Sequence, residues 1–257
     1  MMNTLWIFGD SFSWDYKIRL EHNNIDKSTD STWKYIQEHL NGNIFDSWGE
    51  IVSKELNMNY RNYASYQTNI RLKNLGSGPT NNNNINLLNH FCSEFKQGDI
   101  VIFGFTHISR FEWANKEGHI ITFLPSGDDY QSKEIIEQIL VNRDEVPYYR
   151  YDTLQKLKSI ETLSNLVGFD LWYWDWSNSF TPLVVEEKIP KDRWIFFQED
   201  PTYIGYEHMM IYKYGVGNIG WETDNKIVDG HFGKMGHRIH GDILSKFLKN
   251  IKKDLVI

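Results

Sequence analysis

Apolar positions recur along this chain in two rhythms: short unbroken runs, and longer stretches with apolar residues three or four apart. Leu5–Phe8, within "TLWIFGDSFS", is the first short run and predicts a buried strand. After a polar stretch comes "DSWGEIVSKELN". Its Trp48, Ile51, Val52 and Leu56 stand at helical spacing, with Ser47 placed as an N-cap. "NMNYRNYAS" predicts a short second strand, and "NNNNINLLNHFCSEF" a helix with Ile85, Leu88, Phe91, Cys92 and Phe95 on one face. "GDIVIFGF" is the clearest strand, unbroken as a central parallel strand should be. "DTLQKLKSIETLSNLVG" predicts an amphipathic helix ending near Gly168, and "FDLWYW" a fourth strand. A last helix begins about Lys234, with Met235, Ile239, Ile243, Phe247 and Ile251 as its apolar face.

Strand and helix alternate, which predicts one α/β domain over residues 1–257 with a mainly parallel sheet. Stretches around 14–45, 112–151 and 177–225 break the pattern and read as insertions.

Charge and composition narrow the partners. A net charge of −7 argues against a nucleic-acid partner, and the one basic run, "KFLKNIKK", reads as a solvated helix face. No apolar run approaches the ~20 residues of a membrane span. The opening lacks basic residues and a small-residue cleavage site, so a cytoplasmic setting without a membrane partner is expected. Cys92, the one cysteine, excludes an intrachain disulfide and reads as a buried structural thiol.

Aromatic residues are abundant: 10 Trp, 14 Tyr and 15 Phe. In "DLWYWDWSNSF", alternation puts Leu171, Tyr173 and Asp175 on one face and Trp172, Trp174 and Trp176 on the other. Two readings stand open: a strand buried on both faces, or an aromatic platform for a sugar or other flat ligand.

Two short stretches carry candidate chemistry. Ser11 follows the first strand, at what would be the carboxyl edge of the sheet, and Gly9 reads as the point where the backbone turns sharply. In "VDGHFGKMGHRIHGDIL", Asp229 and His231 lie two residues apart in what reads as a loop before the last helix. A carboxylate so placed orients one imidazole nitrogen and leaves the other as a base. His237 is the rival base; otherwise His237 and His240 read as surface or packing residues, and neither a metal nor another cofactor is expected. "GDSFS" lacks the closing glycine of a nucleophile elbow, and "GVGNIG" lacks the Lys-Ser or Lys-Thr of a phosphate loop.

With these residues in place the chain resembles the SGNH (GDSL-type) hydrolase family. "IFGDSFS" is similar to that family's first block and "DGHFGKMGHRIHGDIL" to its last, while Asn62 and Ala64 in "SWGEIVSKELNMNYRNYAS" fit the approach to its second. The resemblance implies a flavodoxin-like three-layer α/β/α sandwich, with Ser11 as nucleophile, His231 as base and Asp229 as its orienter. It implies an ester substrate, small or glycan-borne, with acetyl or another short acyl group and O-acetylated carbohydrate as the leading class. Where the family places an oxyanion glycine, this chain reads "NYASYQTN", which leaves the task to the Tyr66 and Gln67 region. Gly104 fits the third block, but Thr106 stands where the family has asparagine. Asn69 or Arg110 would supplement its hydroxyl; alternatively Arg110 grips an anionic substrate or pairs with Glu112. A second expectation is a sugar-binding or structural protein that keeps the fold and has lost turnover.

Overall fold

In the computed structural model, the described residues are 2–9, 13, 15–18, 31–64, 81–105, 111–114, 120–123, 145–175, 191–195, 210, 213–214, 220–222 and 228–254. At 111–114, 120–123, 220–222 and 228–231 the main chain alone is described. The first half of the chain runs β1 (Thr4–Phe8), α1 (Ser31–Leu40), α2 (Trp48–Leu56), β2 (Asn59–Asn62), α3 (Asn81–Phe91) and β3 (Ile100–Phe105). A hairpin of β4 (Phe111–Ala114) and β5 (Ile120–Phe123) follows, then α4 (Glu145–Val167) and β6 (Asp170–Asp175). The chain continues through β7 (Gly220–Glu222) and β8 (Val228–Phe232) to α5 (Lys234–Asp254).

Four strands form one sheet in the order β2-β1-β3-β6, parallel at every pairing. Side chains alternate between its faces. Trp6, Phe8, Val101, Phe103, Phe105, Leu171 and Tyr173 meet Leu88 of α3 and Leu157 and Ile160 of α4. Leu5, Ile7, Ile100, Ile102, Trp172 and Trp174 meet Trp48 and Val52 of α2 and Leu244 and Leu248 of α5. This is the three-layer α/β/α sandwich expected from the sequence. Helices on both faces are why β3 is apolar and buried at all six positions. Each large side chain so buried contributes about 1.5–3 kcal/mol, which makes the sheet layer the main source of stability.

The same burial decides between the two readings of the Trp-rich strand. Trp172 and Trp174 are 6% and 3% exposed and belong to the core, so neither forms an aromatic platform. Trp176 lies outside the described residues.

Other expectations shift in detail. Ser47 caps α2 as foreseen, its Oγ accepting from the Glu50 N–H at 3.2 Å. The helix foreseen from Asp152 begins at Glu145, because Pro147 falls in the first turn, where a helix tolerates it. The stretches read as irregular contain the β4–β5 hairpin and β7.

The largest difference is in α5. Its buried residues are Gly236, His237, His240, Gly241, Leu244, Ser245 and Leu248, while Met235 is 54% exposed and Ile239, Ile243, Phe247 and Ile251 are only partly covered. A row spaced by four residues advances about 40° beyond a full turn at each step, so it drifts across a helix surface instead of marking one face.

Order reverses around β1, with β2 on one side and β3 on the other. The carboxyl ends of β1 and β3 are therefore the switch point where sheets of this kind open a crevice.

Candidate functional site

At that edge the chain leaves β1 through Gly9. Its backbone is not in the left-handed region, so the sharp turn expected there is not what requires glycine. The requirement is space, since a Cβ on Gly9 would lie 2.6 Å from Ser13 Oγ. Gly104, at the matching end of β3, is constrained likewise. A Cβ there would lie 3.2 Å from Ser13 Oγ and would collide with Trp174 Nε1. Ser13 is thus lodged between two glycines, 1% exposed, with no hydrogen-bond partner for its hydroxyl among the described residues. Trp174 is fixed against Trp48 and His240, at ring-centroid distances of 5.8 and 5.2 Å, and has little room to yield. Gly104→Ala is therefore expected to destabilise the fold by about 1–3 kcal/mol. An unshifted melting temperature in that variant would show that Trp174 is free to move.

A buried polar chain runs from β2 to the segment after β1. Asn62 Nδ2 donates to Ser13 O at 2.6 Å and to Tyr60 Oη at 2.9 Å, and Asn62 Oδ1 accepts from the Ala64 N–H at 2.9 Å. Ser47 Oγ donates its one hydrogen to Asp15 Oδ2 at 2.7 Å. Tyr60 Oη, 2.9 Å from Ser47 Oγ, is then the hydroxyl with a hydrogen to give in that pair, and its side chain also hydrogen-bonds Asp15 directly. Hydrogen bonds accordingly point one way, from Asn62 through Tyr60 and Ser47 to the Asp15 carboxylate. Burial first, and the Asp15 charge second, hold the Tyr60 phenol well above its ordinary value, so it remains a donor. Asp15 Oδ1 also accepts from the Ile18 N–H at 3.0 Å and caps the helical turn there.

The end of β8 reaches the same place. Tyr16 Oη donates to Phe232 O at 3.4 Å, and Phe232 stacks beside His237 and His240. Trp48, at the start of α2, donates its N–H to His237 Nδ1 at 3.0 Å. Burial pushes His237 down to about 3, and burial together with its neighbour His237 does the same to His240. Both imidazoles are neutral packing groups, 1% exposed, and a face of α5 assigned to surface or packing is wholly packing. His237, the rival base, is committed to the Trp48 amide.

Asp229 and His231 lie on β8, a strand and not the loop expected. The reason is β7, which pairs with it antiparallel. The ladder steps from Trp221–Asp229 to Gly220–Phe232, so Gly230 and His231 are the extra residues of a bulge. Such bulges locally redirect a strand. Ser11, Tyr66, Gln67, Asn69, Thr106 and Arg110 lie outside the described residues. Ser11 falls in the chain between Gly9 and Ser13, Tyr66 two positions beyond Ala64, and Thr106 next after β3.

Ser13, Asp15, Tyr60 and the polar role of Ser47 were not singled out by sequence reasoning. Asn62 was noted, but without a task. The available signal was an amide at the carboxyl end of a strand flanked by Tyr60 and Ala64. A cavity of about 180 Å³, lined by Glu161, Tyr173, Asp192 and Arg193 among others, lies beside β6. With β3 between β6 and β1, it is separate from the switch point. Among the described residues no helix is long and apolar enough to cross a membrane. Comparison with protein-family models, with curated proteins and with solved structures gives no match for this chain.

Proposed function

We propose that the protein is a serine ester hydrolase working through an acyl-enzyme, with Ser11 as nucleophile, His231 as base and Asp229 as orienter. One observation supports this above the others. The segment that follows Ser11 and the strand that carries Asp229 and His231 are joined by a hydrogen bond, from Tyr16 Oη to Phe232 O, on the α2 and α5 side of the sheet. Residues 218 positions apart in the sequence, at 11 and 229, thereby belong to chain segments that are joined in the fold.

In this reading the Ser11 oxygen bonds to the ester carbonyl carbon while His231 takes its proton. The tetrahedral oxyanion collapses, the carbon–oxygen bond to the alcohol breaks, and His231 returns the proton to the departing alkoxide. Water then attacks the acyl-serine by the same route and releases the acid. Main-chain N–H groups near Tyr66 and Gln67, with Asn69, Thr106 or Arg110, serve the oxyanion. A threonine hydroxyl is a shorter donor than an amide but still a donor.

Acetyl or another short acyl group, on a small molecule or a carbohydrate, is the proposed substrate class. Trp172 and Trp174 give it no support, being core residues, so the proposal rests on the block resemblance. The test is turnover of p-nitrophenyl acetate against p-nitrophenyl octanoate, with acetylated oligosaccharides alongside. Acetyl transfer to water is expected to be the faster. Faster octanoate cleavage would overturn the substrate class. Binding of the oligosaccharide with no cleavage of any ester would turn the reading toward a binding protein.

A further inference from the structure

The residues that hold the main chain at Ser13 and Ala64 are not the ones assigned to the proposed chemistry. Resting on the hydrolase reading above, we infer that Asn62 is a positioning residue, which fixes the main chain at Ser13 and at Ala64 with one side chain. Ser13 lies two residues beyond Ser11 in the sequence, and Ala64 two residues before Tyr66, so one amide joins the described residues that flank the nucleophile and the segment proposed to serve the oxyanion.

The chemistry of the site calls for an amide. Asn62 gives two hydrogens, to Ser13 O and Tyr60 Oη, and accepts one, from Ala64 N–H. An aspartate lacks the donors and a leucine lacks everything. Asn62 is 2% exposed, and its own position is set by the run through Tyr60 and Ser47 to Asp15, also 2% exposed. A buried network with each Asn62 hydrogen bond made favours one arrangement over its alternatives. On the other side of Ser11 in the sequence, Gly9 follows directly on β1, and the absence of a Cβ at Gly9 and Gly104 leaves space for the Ser13 side chain. Residues 10–12 separate Gly9 from Ser13 in the chain, so Ser13 is the described residue next after Ser11, and loosening its main chain adds freedom to the connection.

The test compares Asn62→Ala and Tyr60→Phe with the wild-type chain, all confirmed as folded by circular dichroism at the assay temperature. The readouts are kcat and KM for p-nitrophenyl acetate and the rate of labelling by a fluorophosphonate ester. In that labelling the serine oxygen bonds to phosphorus, fluoride leaves, and the proton passes to the base. Asn62→Ala is expected to lower kcat and the labelling rate by about tenfold to a hundredfold, the size of effect a misplaced reacting group produces, with KM nearly unchanged. Tyr60→Phe, which removes one link, is expected to show the same split with a smaller loss. Lys249→Ala, which breaks the exposed pair with Glu55, is expected to leave kcat unchanged. A folded Asn62→Ala with wild-type kcat overturns the inference, and so does an equal fall in kcat and rise in KM. If Asn62→Ala does not fold, a wild-type kcat in Tyr60→Phe overturns it. A wild-type chain that is not labelled at Ser11 is a different result, and overturns the hydrolase reading on which the inference rests.

Discussion

Ser11→Ala is expected to lower ester turnover by at least about a thousandfold, and adding His231→Ala is expected to cost little more. The two side chains serve one step: without the hydroxyl there is nothing to acylate, and without the imidazole the hydroxyl stays protonated and weak. Removing both therefore removes the same step once, and the losses do not add. Asp229→Asn is expected to cost less than His231→Ala by about an order of magnitude or more, since the base itself remains. His237 offers a control. Its Nδ1 is taken by the Trp48 N–H and it is buried among Tyr16, Phe45 and Phe232. His237→Asn, whose Oδ1 still offers that N–H an acceptor, is expected to keep turnover in the folded protein at neutral pH. Turnover that survives Ser11→Ala would overturn the serine mechanism. Turnover that survives His231→Ala and is lost in folded His237→Asn would exchange the two histidines.

The layers of the fold were legible in the sequence where burial on both faces leaves a plain mark. β3 could be read because all six of its residues are apolar or glycine, and α2 because Ser47, Trp48 and Val52 stand where a cap and a buried face require them. The face of α5 was not legible. Two histidines and two glycines occupy its buried side, and a histidine gives no sign in sequence of whether it lies in water or against Trp48 and Trp174. β8 was misread for a related reason. Val228–Phe232 holds one Asp, one Gly and one His in five residues, and becomes a strand by pairing with β7, a three-residue neighbour, Gly220–Glu222, too short to show a strand pattern of its own. The candidate site was legible as residue types at two ends of the chain. What holds it, the run from Asn62 to Asp15, depends on hydrogen bonds among residues up to 49 positions apart, which no local pattern records.

Acid is expected to unfold this protein earlier and more steeply than its carboxylates alone would allow, because of His237 and His240. Each imidazole sits near 3 in the fold against an ordinary value of 6.5. The fold therefore holds them neutral while the unfolded chain takes up their protons. The sign follows: their contribution to stability is complete above about 6.5 and falls as pH drops from there toward 3. With both groups binding protons only on unfolding, stability falls by about 3 kcal/mol per pH unit within that window. Two pH units would consume a large part of the ~5–15 kcal/mol that holds a typical domain together. Asp46 acts lower. Burial alone would raise its carboxyl, but hydrogen bonds from Lys17 and Lys54 bring it down to about 2, so its contribution is lost only below its ordinary 3.8. Urea midpoints measured between pH 7.5 and 4.5 enter the histidine window and stay above that of Asp46. His240→Phe keeps a ring between Trp48, Trp174 and Phe232, and His237→Asn keeps an acceptor for Trp48. Each is expected to lose stability at pH 7.5 and to halve the slope below 6.5. A slope equal to wild type in both variants would show that other groups, and not the two buried histidines, set the acid limit of the fold.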